Sequence, residues 1–387
     1  MTPSSAPRES VPSPTAEPIR VMVVDDSSVI RGIVSRWIEA SSEMVLAGVA
    51  VNGSDAVKRA AALRPDIIVL DIEMPEMDGI TALPQLLKTC PQTRVIMAST
   101  LTRRNAEISL KALSLGASDY VPKPTSMGGG DAAEDFRREL MTRITALGRR
   151  RKSGPVARGA VPGRGSDGVP SAVRPGVPGS QGAAKPALHL QKPSSVPSQI
   201  LAIGSSTGGP QALVQVLSAL AGELNVPVLI TQHMPPTFTA ILAESIARSS
   251  GLKCMEATSG MMLERCCVYV APGDYHMTIR GKGGPIELNQ APPENFCRPA
   301  VDPMFRSVAG AYGPLALGVV LTGMGSDGRE GARAIVGAGG TVIAQDEDSS
   351  VVWGMPGAVA HAGLASAIVP LDLISAEIKK MLGPRPR

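Results

Sequence analysis

The strongest constraint on this chain is an alternation that occurs twice. Short aliphatic runs end in Gly, Ser or Asp, and each is followed by a longer stretch with apolar residues at helical spacing. In the first series, strands are predicted over 20–24, 44–51, 67–70, 94–98 and 119–121, with helices over 28–40, 53–63, 79–89 and 105–115. In the second, the clearest strands are 200–203, 228–231, 267–270, 316–321 and 340–344. The helices there are 210–220, 237–248, 303–311, 328–337 and 371–381, with an antiparallel excursion over 276–288. Repeated βα units imply a parallel sheet covered on both faces, so the expectation is an α/β protein with two doubly wound parallel-sheet domains. The composition agrees: 43% of the 387 residues are apolar but only 3% aromatic, which suits cores of Val, Ile, Leu and Ala.

Three stretches break the pattern. Residues 1–18 are rich in Pro, Ser and Glu and have no apolar face, which predicts a disordered tail. A helical stripe over 131–147 closes the first domain, placed at 19–147. Then Arg149-Arg-Arg-Lys152 opens a Gly/Pro/Ser/Ala stretch that ends near Pro197, and 148–197 is read as a disordered basic linker ahead of a domain at 198–387.

Several function classes are disfavoured. The net charge of +4 is small, and the basic excess lies in the linker instead of on a predicted recognition helix, which argues against nucleic acid as a partner. No run approaches the ~18 apolar residues of a membrane span, and no apolar signal core opens the chain, so a soluble cytoplasmic protein without membrane insertion is expected. Five scattered cysteines, with Cys266 and Cys267 adjacent, point to reduced thiols, and no dense Cys/His cluster suggests zinc.

Chemistry belongs at the carboxyl ends of parallel strands. In the first domain Asp25 and Asp26 follow one strand and Asp71 ends another, while Ser99 and Lys123 close two more. Three converging carboxylates want a hard cation, and an open oxygen site suits Mg2+, which can neutralise a phosphoryl group on one of them. In the second domain three polar clusters follow strands: Ser205 and Ser206 after Gly204, His233 after Gln232, and Asp327 after Ser326. Read alone, Gly204-Ser-Ser-Thr-Gly-Gly209 suggests an anion cradle at a helix start. Joined to His233 and Asp327 it fits a nucleophile, its base and the carboxylate that orients the base. The order Ser, His, Asp excludes the α/β-hydrolase arrangement, which runs Ser, Asp, His.

Val23-Val-Asp-Asp-Ser27, Asp71-Ile-Glu-Met-Pro-Glu-Met-Asp-Gly79 and Lys123-Pro124 closely resemble the receiver domains of two-component response regulators, over about 19–125. The resemblance implies a flavodoxin-like fold, Asp71 as phosphate acceptor, and Mg2+ bound by Asp25, Asp26 and Asp71. It also implies that Ser99 and Lys123 sense the phosphoryl group, that Tyr120 is an aromatic switch, and that Lys123–Pro124 is a cis bond.

The second domain carries Thr231-Gln-His-Met-Pro-Pro236, Ala271-Pro-Gly-Asp-Tyr-His-Met277, Arg298-Pro-Ala-Val-Asp302, Leu321-Thr-Gly-Met-Gly-Ser-Asp-Gly328 and Gly354-Met-Pro356. With the serine turn, these strongly resemble the chemotaxis protein-glutamate methylesterase family, over essentially all of 198–382. The resemblance implies a Rossmann-like methylesterase domain with Ser206 as nucleophile, His233 as general base and then acid, and Asp327 orienting His233. Ser205 stands where the family often has alanine, and the Ser-Thr-Gly-Gly core selects Ser206. Backbone amides at Thr207 and Met324 are the implied oxyanion donors, and Arg298 is expected to line the site.

The implied reaction is hydrolysis of glutamate methyl esters on the helical cytoplasmic region of methyl-accepting chemoreceptors, releasing methanol, with deamidation of receptor glutamines as a second activity. A chemotaxis histidine kinase would supply the phosphoryl group, and hydrolysis itself would need no cofactor. One switch module ahead of one catalytic module leads us to expect that phosphorylation opens the approach to Ser206. A non-catalytic, anion-binding output domain is the competing reading, distinguished by whether a serine-reactive probe labels Ser206.

Overall fold

The computed structural model describes residues 17–100, 102–124, 131–153 and 188–383. The first part of the tail, residues 1–16, and residues 154–187 of the expected linker lie outside them. The chain divides into two units between Lys152 and Ser153.

In the first unit β1 (Ile19–Val24), β2 (Met44–Ala50), β3 (Ile67–Asp71), β4 (Arg94–Thr100) and β5 (Asp119–Lys123) form one sheet in the order β2-β1-β3-β4-β5, with every pairing parallel. The interleaved helices are α1 (Ser28–Glu39), α2 (Gly53–Leu63), α3 (Gly79–Thr89) and α4 (Arg103–Ser114). Their starts are written in the sequence. Ser27, Asn52, Asp78 and Thr102 each stand just before a helix and accept a hydrogen bond from a backbone N–H in its first turn. The three inner strands, β1, β3 and β4, are nearly continuous in buried aliphatic residues, as a sheet covered on both faces requires.

The last helix of this unit, α5 (Asp131–Ser153), runs beyond the expected end at 147, because the Arg and Lys residues after Gly148 carry a helix readily. Among the described residues the cis bonds are Gly284–Pro285 and Arg298–Pro299, so Lys123–Pro124 is not the cis bond expected of it.

The second unit is a seven-stranded parallel sheet in the order β14-β13-β12-β6-β7-β9-β8. In chain order the strands are β6 (Ile200–Ser205), β7 (Val228–Gln232), β8 (Lys253–Glu256), β9 (Cys267–Val270), β12 (Ala316–Val320), β13 (Thr341–Gln345) and β14 (Ala367–Val369). An antiparallel pair, β10 (His276–Ile279) with β11 (Ile286–Asn289), stands where the excursion was expected. The helices are α6 (Gly209–Leu220), α7 (Phe238–Ser250), α8 (Val301–Tyr312), α9 (Arg329–Gly337), α10 (Met355–His361) and α11 (Leu371–Leu382).

The N-terminal edge of this unit precedes the expected position 198. Gln191 donates to Ala365 O from its backbone (2.8 Å) and to Gly363 O from its side chain (2.7 Å), and Ser194 N donates to Thr341 Oγ1 (2.9 Å). The polar composition of 188–197 reads as a tether, yet its amides find acceptors on the folded unit. Among the described residues, no helix is long and apolar enough to cross a membrane, and the five cysteines are free.

Candidate active site

Sheet order decides which residues of the second unit can meet. β6 lies in the centre with β12 on one side and β7 on the other, so the loops bearing Asp327, Ser206 and His233 leave three adjacent strands at the same edge. The chain turns both ways from β6, which makes this edge a topological switch point, where open α/β sheets bind ligands. The register pairs Ser205 with Gln232, and His233 N donates to Ser205 O at 3.1 Å, so Ser206 and His233 occupy neighbouring positions just beyond the sheet.

The structure separates the two serines. Ser205 is fully buried, and its hydroxyl donates to Gln232 Oε1 at 2.7 Å. Ser206 keeps a small exposed surface (8%), with its backbone fixed on both sides: Ser206 N donates to Thr322 O (3.0 Å) and Gln232 Nε2 donates to Ser206 O (2.9 Å). Ser205→Ala should therefore cost about 1–3 kcal/mol of stability by stranding a buried amide oxygen. Urea unfolding measures that cost, and ester hydrolysis should suffer far less than in Ser206→Ala.

A second set of bonds ties the loop after β6 to the loop after β12. Thr322 Oγ1 donates to Thr207 O at 2.9 Å and accepts from Val352 N at 3.0 Å. Gly323 packs so tightly here that a Cβ would lie 2.4 Å from Met355 Sδ and 2.9 Å from Ser206 Cβ. Gly208, at φ 76°, lets the chain turn from Thr207 into α6. The backbone amides of Thr207 and Met324 are thereby carried on two loops bonded beside Ser206, and the Met324 amide has no acceptor among the described residues. Donors of this kind, fixed before the reaction, are what a developing oxyanion needs.

His233 Nε2 lies 2.7 Å from Asp327 Oδ2. The carboxylate is buried and gathers four further donors: Val301 N (2.6 Å), Asp302 N (3.1 Å), Gly328 N (2.9 Å) and Asn295 Nδ2 (3.1 Å). Burial pushes the Asp327 carboxyl up, but the His233 bond and charge, with the Val301 and Asp302 amides, outweigh it and hold the group below the usual carboxylate range. Its neighbour Asp302 goes the other way, pushed up to about 6 by burial, with the charge of Asp327 adding to the effect against the Gly331 amide. An ionised Asp327 acceptor fixes the proton on Nε2 and leaves Nδ1 free to accept.

Nδ1 faces Cys297 Sγ at 3.4 Å, and among the described residues Ser206 Oγ makes no hydrogen bond to the ring. A thiol is a weak donor, so a serine hydroxyl turning onto Nδ1 displaces it at little cost. Burial by itself lowers the pKa of the imidazole. Cys297 and Asp327 outweigh that and raise it above the ordinary histidine value. Arg298 lies in the adjoining loop, but its guanidinium is bonded to Asp274 and to the carbonyls of Gln290 and Ala291, which makes it a brace between loops.

Gln232, Asn295, Thr322 and the Cys297 contact were not found from the sequence. Gln232 had the clearest signal, as the polar residue in a buried strand end beside the histidine.

The first unit brings its acidic set together as expected. Carboxylate oxygens of Asp25, Asp26 and Asp71 lie within 4.8 Å of one another, and Lys123 Nζ reaches Asp25 Oδ2 (2.6 Å) and Asp71 Oδ1 (2.7 Å). Burial pushes the Asp71 carboxyl up to about 6; Lys123 opposes this and Asp25 adds to it. Ser99, one residue beyond the Ala98 that pairs with Asp71, lies with its Oγ 3.1 Å from Ser109 Oγ, and Tyr120 is buried.

The comparisons with known proteins agree with this division. Residues 21–129 match the family model of the response regulator receiver domain, and residues 201–378 match that of the CheB methylesterase. A protein-glutamate methylesterase/protein-glutamine glutaminase of Paramagnetospirillum magneticum is 50% identical over 383 residues, covering 97% of this chain and 99% of the relative. One from Rhodopseudomonas palustris is 51% identical over 370 residues, with 94% of each chain covered. Among solved structures, the Thermotoga maritima CheB methylesterase catalytic domain is 38% identical and covers 48% of this chain and 99% of its own, with a TM-score of 0.46. The receiver of the same T. maritima protein is 37% identical and covers 36% of this chain and 99% of its own, with a TM-score of 0.32. Carrying a receiver ahead of a serine site at three adjacent strand ends, and half identical to these relatives over nearly its whole length, the chain belongs to the family of protein-glutamate methylesterases/protein-glutamine glutaminases.

Proposed function

We propose that this chain is a phosphorylation-activated serine hydrolase that removes methyl groups from glutamate methyl esters on the cytoplasmic region of chemoreceptors, and that it deamidates receptor glutamines by the same route. The observation that carries this reading is the Asp327–His233 bond at 2.7 Å beside Ser206, on three adjacent strand ends. Nδ1 of His233 takes the Ser206 proton as Oγ attacks the ester carbonyl, and the Thr207 and Met324 amides receive the charge on the carbonyl oxygen. The C–O bond breaks, the imidazolium returns its proton to the leaving methoxide, and methanol departs. Water, deprotonated by the same ring, then releases the carboxylate and restores Ser206. With a glutamine the leaving group is ammonia and the steps are the same.

In the receiver, Asp71 takes the phosphoryl group from a chemotaxis histidine kinase in the cytoplasm. The Asp25, Asp26 and Asp71 oxygens offer the all-oxygen set that Mg2+ prefers, and the ion would supply charge neutralisation at the acceptor. Lys123, placed between Asp25 and Asp71, sits where the new phosphate charge would be felt.

The test is methanol release from methyl-labelled receptor membranes by the full chain, with and without a small-molecule phosphodonor and Mg2+. Wild type should respond with a stimulation of about 5-fold or more, the lower end of ordinary coupling between sites. Asp71→Asn should keep the unstimulated rate and lose the response. A wild type that releases no methanol from the receptor defeats the reading, and an Asp71→Asn protein that still responds removes Asp71 as the switch.

A further inference from the structure

Beside the catalytic histidine the chain makes a two-residue turn whose composition goes against its conformation. Glu294 N donates to Cys297 O (3.1 Å) and Cys297 N donates to Glu294 O (2.9 Å), which closes the turn around Asn295 and Phe296. Both central residues are left-handed, with φ 52° at Asn295 and 63° at Phe296, the pattern of a type I′ turn. Asn suits the first place. The second is normally Gly, and a bulky aromatic there is strained.

Phe296 is also 91% exposed, so its ring gains almost no burial within the fold. The turn is nonetheless held firmly. Glu294 pairs with Arg306 (2.6 Å), Asn295 Nδ2 bonds both Asp302 Oδ2 (3.0 Å) and Asp327 Oδ1 (3.1 Å), and Cys297 Sγ meets His233. The residues on either side of Phe296 thus touch the catalytic carboxylate and the catalytic imidazole. A second partly exposed aromatic, Tyr275 (38%), follows Asp274, which is bonded to Arg298 in the same loop cluster. Strain and exposure together, on a rigid mount at the lip of a catalytic centre, give the fold no return. The return lies in a contact made during catalysis.

We infer that Phe296 is a specificity-determining residue that docks the substrate helix, its ring covering apolar surface beside the esterified glutamate. The occupant is set by position: whatever lies over this turn while Ser206 attacks is the acyl substrate itself. On a helix, residues three or four places from the glutamate share its face and meet the ring. The inference rests on the receptor-esterase reading above.

The test compares full-length wild type, Phe296→Gly and Phe296→Tyr on two substrates, methyl-labelled receptor membranes and a small soluble γ-methyl ester of N-acetylglutamate amide. For Phe296→Gly, kcat/KM on the receptor should fall roughly 10–30-fold, chiefly through KM, as for loss of an aromatic anchor. That loss should exceed the loss on the small ester by about 10-fold or more. Because glycine relieves the turn, the thermal midpoint should rise by ~2–4 °C. Phe296→Tyr should recover most of the receptor activity. Equal losses on the two substrates, a receptor rate equal to wild type, or a lower midpoint each overturn the docking role. A wild type inert on receptor esters instead overturns the reading beneath it, so the two failures are distinguishable.

Discussion

Ser206→Ala should lower methyl-ester hydrolysis by roughly 10^6-fold, the size of effect seen when a triad nucleophile is removed from an otherwise intact serine hydrolase. The expectation is this large because nothing nearby can replace the hydroxyl. Ser205, the adjacent serine, is fully buried with its hydroxyl donated to Gln232. Cys297 touches the ring nitrogen that must accept the serine's proton, but it stands in the loop between β11 and α8 and not in the turn after β6, where the backbone amide of Thr207 adjoins the nucleophile. What survives should be the weak assistance of the oxyanion amides, which Ser206→Ala leaves in place. The folded state should be almost unaffected, since the Ser206 hydroxyl makes no hydrogen bond to the ring and its backbone bonds to Thr322 and Gln232 do not involve Oγ. The measurement is methanol release from labelled receptor, read beside phosphodonor labelling of Asp71. Retained hydrolysis removes Ser206 as the nucleophile, and lost Asp71 labelling shows that the substitution damaged more than the site.

Much of this arrangement is legible in the sequence because parallel strands expose their ends by rule. Aliphatic runs ending in Ser, Gln-His and Thr-Gly place three polar groups on one edge before any coordinate is known, and helices α2 and α3 begin and end where their caps and apolar spacing say. Short, partly buried elements escape. β8 and β14 have intermediate burial along most of their length and too few residues to show a period, and the seven-residue helix α10 is hidden behind Gly354 and Pro356. The order of strands in the sheet was equally hidden. Chain order runs Ser, His, Asp, whereas the sheet puts the serine strand between the other two. Asn295 could not be read either, since it is far from Asp327 in sequence and reaches it only because a left-handed turn aims its amide inward. Arg298 illustrates the opposite difficulty. Its charge suggests a substrate contact, but which partner takes a guanidinium depends on loop geometry, and here Asp274 and two carbonyls take it.

Asp327→Asn should cost about 10^4-fold in turnover, with a change in pH dependence that identifies the cause. The carboxylate accepts five hydrogen bonds and donates none: His233 and Val301 reach Oδ2, while Asn295, Asp302 and Gly328 reach Oδ1. An amide has one acceptor oxygen and one donor nitrogen. Set at the Oδ1 position, the nitrogen faces three donors; set at the Oδ2 position, it faces His233 and one backbone amide. The second costs less, and it makes residue 327 donate to Nε2, which moves the ring proton to Nδ1. A protonated Nδ1 cannot accept from Ser206. The stranded Val301 amide should add a stability cost of about 1–3 kcal/mol, measurable by urea unfolding.

The pH profile follows from charge. Only the neutral ring is a base, so activity rises as pH rises through the His233 pKa, which Cys297 and Asp327 hold above its ordinary value against burial. Removing the Asp327 charge lowers that pKa, so the acid limb of the residual activity should move to lower pH. Stability carries the same signature. With the folded pKa raised, the favourable interaction of the imidazolium is fully present below the unfolded value and is lost as pH rises from there through the folded value. That alkaline loss should be smaller in Asp327→Asn. A limb that moves to higher pH, or turnover within about 10-fold of wild type, would show that Asp327 does not orient His233.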